Sequence, residues 1–559
     1  MPGIFLIFFS PDSVRISILL FWSDKIDLQL SVGRREEWLF DRDFRFRSFL
    51  HHQSVEIRQS RNIIFEMWLL LPILLYSVVF LTVRHIYSHW RRRGFPSEKA
   101  GITWSFLQRA YRREFRHVEA ICEAYQSGRD RLLGIYCFFR PVLLVRNVEL
   151  AQTILQQSNG HFSELKWDYV KGYRRFNLLE KLAPMFTTKR LSEMFGQVQK
   201  VGDHLIKHLM EKEQMQAGIL EVDLQQILRV YSVNIIGNLI YGLDVNNFEQ
   251  KDHILTSYLS HGQASIQSFT LSRLPQKSSF TYRLRDLIKQ SVELREDHGL
   301  IRKDILQLLV RFRNGNEVSG DKWQLETNND TEKLLSIKRL SKVAEDLLKV
   351  SLDTVASTIT LTLYEILQAP LIVEKLQAEI KELSNENGQL KFEELDGLKY
   401  MDMCLKETVR KYPPLPIIER ICRKTYSLPN SKFTIDEGKT LMVPLLAIHR
   451  DEKYFSEPMK YKPLRFLLSE NDASQRKDKT KSNAFIGFGI GGAQCVGQNF
   501  AKLVIKVALI KLLQNFRLEL DPKLAETLEV SHQPAPFIHT KDGLKVKLKR
   551  REIKPKFYR

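Results

Sequence analysis

At 559 residues the chain exceeds one compact core of the usual ~150 residues, so one large lobed domain or several smaller ones are expected. A composition of 43% hydrophobic and 27% charged residues excludes disorder and fibrous repeats. The net charge of +20 (85 Lys+Arg, 65 Asp+Glu) suits an anionic membrane surface or an acidic protein partner.

No basic run is interleaved with aromatics as a nucleic-acid groove requires, so nucleic acid is not an expected partner. The five cysteines, Cys122, Cys137, Cys404, Cys422 and Cys495, lack CxxC spacing, which removes a disulfide scaffold and a zinc ribbon and fits a reducing compartment.

Residues 1–66 balance nine basic against nine acidic residues and show neither a signal h-region nor an acid-poor transit pattern. They form an extension of no assigned fold, and Met67 is a candidate natural start. Met67 to Val83 (MWLLLPILLYSVVFLTV) is uncharged and, as a helix, reaches about 25 Å. Arg91, Arg92 and Arg93 follow, and Trp68, Tyr76 and Trp90 stand near the ends. The asymmetry reads as an anchor in residues 67–90 that keeps the downstream domain, 91–559, on the cytoplasmic side. A buried core helix is the alternative reading.

Downstream the pattern is mainly α with small β-sheets. Apolar spacing of three and four predicts helices within Leu347–Leu367, Phe392–Lys411 and Gln498–Leu513. Strands are predicted at Thr440–Ile448, at Phe516–Leu520 and where Leu544, Val546 and Leu548 alternate with lysines. A Lys-rich loop is predicted at Ser469–Asn483.

The segment FIGFGIGGAQCVGQNF, Phe485–Phe500, concentrates the chemistry. Gly487, Gly489 and Gly492 spell GxGxxG, but the dinucleotide reading needs a buried strand before the first glycine, and polar KDKTKSNAF stands there. The other reading makes Cys495 a thiolate in a glycine loop before a helix N-terminus, which favours negative charge. A lone thiolate suits haem iron, since zinc needs further nearby Cys or His ligands.

The segment resembles the signature of the haem-thiolate monooxygenases, the cytochromes P-450, through Phe488, Gly489, Gly491, Cys495 and Gly497, with Ala493 where that family has arginine. KETVRKYPPLP, holding Glu407 and Arg410, resembles the family's K-helix. YKPLRF resembles its later Pro-Glu-Arg-Phe motif, with Leu464 for the glutamate. VSLDTVAST resembles its I-helix, keeping Asp353 and Thr354 but carrying Ser351 for a glycine. Partial matches at Arg91–Pro96, Ala183–Phe195 and Glu419–Cys422 extend the resemblance over roughly residues 67 to 550, with the texture of insect-type microsomal members.

This resemblance implies a cytochrome P-450 fold with one N-terminal transmembrane helix, haem b (iron protoporphyrin IX) on Cys495, and proton delivery by Asp353 and Thr354. It also implies a buried structural network of Glu407, Arg410 and Arg465, and a haem propionate held by Arg420. Arg175 and Leu179 stand where the family has Trp and Arg, so with Ala493 the usual cation set is depleted, and Arg174 or Arg175 are candidate substitutes.

The implied activity inserts one atom of dioxygen into a lipophilic small molecule. The implied partners are a separate NADPH-dependent flavoprotein reductase and membrane lipid, and the implied location is the endoplasmic reticulum, with mitochondria as the alternative. Two other functions stay open: an oxygen-independent isomerase or dehydratase on the same fold, and a non-catalytic descendant, haem-binding or haem-free.

Overall fold

The computed structural model describes residues 6–8, 17–19, 71–99, 103–114, 118–128, 130–156, 160–164, 182–216, 218–250, 254–255, 279–326, 333–383, 390–429, 431–467, 484–491, 494–523, 528–531 and 537–551. The Ser469–Asn483 loop and Arg174, Arg175, Leu179, Gly492 and Ala493 lie outside the described residues. The chain divides into two compact units, Met1–Phe80 and Leu81–Arg559. In the first, β1 (Leu6–Phe8) pairs antiparallel with β2 (Ser17–Leu19), structure that the sequence pattern left unassigned.

Helix α1 covers Leu71–Tyr87 and runs four residues beyond the Val83 at which the apolar run ends, while Met67–Leu70 lie outside the described residues. Leu71, Ile73, Leu74, Leu75, Val78 and Leu81 are all more than half exposed, an apolar surface that water does not favour. Among the described residues, the helix that is long and apolar enough to cross a membrane is instead Ile337–Leu367, and it is mostly buried inside the protein.

That helix, α6, organises the second unit. Ser336 caps it by accepting the Arg339 N–H, and Leu340, Ala344, Leu348, Leu352, Val355, Ile359, Leu363 and Ile366 recur at helical spacing on buried faces. Around it pack α4 (Leu224–Leu239), α5 (Ser279–Asp297), α7 (Lys399–Lys411) and α9 (Gln498–Asn515), while α3 (Thr188–Met215) packs on α4 and α9. α4 is capped by Asp223, which accepts the Gln225 N–H at 3.0 Å.

A five-stranded sheet lies under a second apolar cluster, with the order β3 (Leu132–Cys137), β4 (Arg140–Val145), β8 (Thr440–Val443), β7 (Ile418–Cys422) and β5 (Phe162–Glu164). Only the β4–β8 pair is parallel. A three-stranded antiparallel sheet has the order β9 (Phe516–Leu520), β10 (Lys545–Arg550) and β6 (Leu220–Asp223). Val546 and Leu548 point inward while the lysines of β10 stay exposed, as the alternation predicted.

Two predicted elements are corrected. The strand expected over Thr440–Ile448 stops at Val443; Pro444 offers no N–H to the ladder, and Leu445–His449 forms the short helix α8. The helix expected over Phe392–Lys411 breaks at Gly397, so a 3-10 turn (Glu393–Gly397) precedes α7.

Candidate functional site

Ala484–Ile486, the described residues just before Gly487, are not in a strand, which argues against the dinucleotide reading. The segment lies flat on α7: a Cβ on Gly487 would sit 2.4 Å from Val409 Cγ1. The chain reverses where Gly489 takes φ +71° and donates its N–H to the Ile486 carbonyl at 2.9 Å. Gly491 also takes a left-handed φ, +58°. A Cβ there would sit 2.8 Å from Gln156 Cα, at the end of α2 (Val148–Gln156).

These contacts deliver Cys495. Its N–H donates to the Phe488 carbonyl at 2.7 Å, and Gly497 caps α9 two residues on, so the thiol sits where the helix dipole favours a thiolate. Cys495 is exposed, whereas Cys137, Cys404 and Cys422 are buried. Burial pushes the Cys404 thiol up to about 12 and those of Cys122 and Cys422 up to about 11, leaving them poor ligands.

The donor set fits a group that takes one protein ligand. Among the described residues no three His, Cys, Asp or Glu side chains gather as a metal cluster would need. Among the described residues no atom lies within 4 Å of a Cβ built on Gly497, so a flat group has room to approach the backbone there. Haem on a lone thiolate satisfies both features.

Behind the loop, Glu407 and Arg410 are both fully buried on α7. Arg410 Nε and Nη2 donate to the two Glu407 oxygens at 2.7 and 2.9 Å. Arg465 Nε and the Lys462 N–H also donate to Glu407 Oε1, at 3.0 and 2.8 Å, and Arg410 Nη1 and Nη2 further reach the His449 and Pro458 carbonyls. The structure thus brings together Glu407, Arg410 and Arg465, and each oxygen of the buried carboxylate is answered by a donor. Arg420 lies buried on β7, its Nη1 donating to the Glu419 carbonyl at 2.9 Å.

Asp353 and Thr354 lie on α6. Asp353 Oδ1 accepts from Arg229 Nε at 3.0 Å, a bond from α4 with both side chains mostly shielded. Thr354 Oγ1 donates to the Val350 carbonyl at 2.7 Å. The Ser351 hydroxyl folds back onto the Leu347 carbonyl, so it is satisfied within its own helix. Arg229 and His449 escaped the sequence reading. Nothing in a single chain links Arg229 to Asp353 across 124 positions, and a histidine in an apolar run reads as ordinary core.

The family profile described as Cytochrome P450 matches residues 97–548. The chain is 87% identical over 492 residues to "Probable cytochrome P450 310a1" of Drosophila melanogaster, spanning 88% of this chain and 100% of that protein. It is 33% identical over 530 residues to "Cytochrome P450 6d3" of Musca domestica, with 87% and 99% of the two chains covered. With "Probable cytochrome P450 6d4" of Drosophila melanogaster it shares 31% over 518 residues, covering 86% and 98%. Similarity that runs through nearly every element of the Leu81–Arg559 unit, including the turn that presents Cys495, makes this chain a member of the cytochrome P-450 family, whose members are generally haem-thiolate monooxygenases.

Proposed function

We propose that the chain is a membrane-anchored monooxygenase that holds haem b on Cys495 and inserts one atom of dioxygen into a lipophilic substrate. A separate NADPH-dependent flavoprotein reductase supplies the electrons. The observation that carries this reading is the exposed thiol of Cys495 just before α9, on a residue whose backbone N–H donates to the Phe488 carbonyl. The apolar, exposed α1 followed by Arg91–Arg93 supports anchoring, in the endoplasmic reticulum with residues 91–559 on the cytoplasmic side. Residues 1–66 are then an extension and 67–90 the anchor with its basic flank.

When bound, the haem supplies an iron centre that takes up dioxygen and accepts electrons one at a time. The chain supplies the rest. Cys495 contributes a negative sulphur, favoured by the α9 dipole. Arg420 is shaped to pair with a propionate. The Asp353 carboxylate, held by Arg229, relays protons together with the Thr354 hydroxyl, which donates to the Val350 carbonyl one turn back on the same helix.

The test is the absorption spectrum of the reduced protein under carbon monoxide, for wild type and Cys495→Ser. A red-shifted Soret band that the variant loses supports the reading. Well-folded wild type without haem, or with no thiolate-type band, replaces it with the non-catalytic descendant. Turnover that consumes neither NADPH nor dioxygen replaces it with the isomerase.

A further inference from the structure

We infer that His449 is a positioning residue for Cys495: its imidazole Nε2 accepts the Ile486 N–H at 3.2 Å and so couples the Glu407–Arg410 pair to the loop that presents the thiolate. The inference rests on the haem-thiolate reading above and concerns how the chain holds its own ligand.

The need for such an acceptor follows from the close approach of the loop to α7. Ala484 and Ile486 are buried, and Gly487 lies against Val409. Water has no access to the Ile486 amide in that contact, and a buried N–H without a partner is costly. His449 answers it. The residue is fully buried, its ring stacks on Phe485 (centroids 5.6 Å apart) and meets Phe455 edge-on, so it is held from both sides.

The same residue is tied to α7 through its backbone, because its carbonyl accepts Arg410 Nη1 at 2.8 Å. From Ile486 the path continues: the Ile486 carbonyl accepts the Gly489 N–H, and the Phe488 carbonyl accepts the Cys495 N–H. His449 therefore fixes the entry of the turn whose exit carries the sulphur.

An acceptor nitrogen must be unprotonated. Burial, reinforced by the adjacent Arg410 charge, holds the imidazole down at about 3, so it stays neutral at working pH with its proton on Nδ1. Among the described residues Nδ1 has no hydrogen-bond partner. A buried donor is thus left unanswered while Nε2 is committed to the loop.

The experiment compares full-length, haem-loaded wild type with His449→Leu, which removes the acceptor, and His449→Gln, whose amide oxygen reaches the same amide. Hydrogen exchange at Ile486 is expected to speed about tenfold or more in His449→Leu. The thiolate-type carbon monoxide band is expected to convert several-fold faster to the band of the thiol form, and His449→Gln is expected to restore both. Wild-type exchange and band lifetime in His449→Leu would overturn the inference, as would failure of His449→Gln to rescue.

If His449→Leu does not fold, imidazole nitrogen shifts of the wild type decide. The Nδ1–H tautomer without titration between pH 5 and 8 supports the assignment, and the other tautomer refutes it. Absence of a thiolate band in the wild type would instead remove the monooxygenase reading, with the Ile486 exchange result standing independently.

Discussion

Replacing Gly491 with alanine separates what the fold demands of the glycine loop from what the cofactor demands. At φ +58° an alanine pays about 1–2 kcal/mol for the left-handed conformation. Its Cβ would lie 2.8 Å from Gln156 Cα, where carbon atoms ordinarily rest about 3.5–4.0 Å apart. Because the obstacle is main chain, no rotamer change relieves it, and overpacking of this kind costs about 1–3 kcal/mol. Reduced freedom of the unfolded chain returns about 0.4–1 kcal/mol, so the expected net loss is about 1–4.5 kcal/mol.

Gly497→Ala is the control. Its φ is −88° and a Cβ would meet no atom of the described residues within 4 Å, so stability should change by less than about 1 kcal/mol while haem affinity falls. Urea unfolding followed by far-ultraviolet circular dichroism gives the first quantity and haem titration the second. A Gly491→Ala midpoint equivalent to wild type within about 0.5 kcal/mol would show that the loop does not pack on α2 as described.

Other outcomes are expected at the buried network, on α6 and at acid pH. Glu407→Gln strands Arg410 and Arg465 against a neutral partner and should cost about 3–5 kcal/mol, read as a shifted urea midpoint; an unchanged midpoint would argue against a buried pair. Asp353→Asn and Thr354→Val should each slow substrate oxidation on the order of 100-fold while the carbon monoxide spectrum persists, measured as product formed per dioxygen consumed.

His449 has its folded-state value depressed to about 3 against about 6.5 when unfolded, so below pH 6.5 the unfolded chain binds a proton that the folded chain refuses. Stability should therefore fall as pH drops from 6.5 toward 3, and His449→Gln should flatten that slope in acid unfolding curves.

How much could be read beforehand depended on whether the signal was local. The alternation at Val546 and Leu548, the periodicity of α6 and the turn glycines before Cys495 each report a constraint imposed by immediate neighbours, and each was visible in the sequence. Pro444 was equally visible, yet the run around it was read as one strand because β-branched and apolar residues fit both a strand and a short helix. Partners supplied by a distant element were invisible: Arg229 reaches Asp353 from α4, and His449 reaches Ile486 from α8. Ser351 illustrates the opposite limit, since its departure from the family pattern was plain while its bond to the Leu347 carbonyl was not.

The sheet pairings carry a consequence for biosynthesis. β4 ends at Val145 and waits for Thr440–Val443, and β6 ends at Asp223 and waits for Lys545–Arg550. At about 5–20 residues per second, roughly 300 intervening residues keep the second edge of β4, whose first edge pairs with β3, and the whole of β6 without a partner on the ribosome for about 15–60 s. Such high contact order makes the nascent chain a slow folder with exposed edges, and a natural client for chaperones. Because β10 is the middle strand of its sheet, translation that stops between Leu520 and Lys545 would leave β6 and β9 as two unpaired edges, even though every residue of the Cys495 loop had already been made.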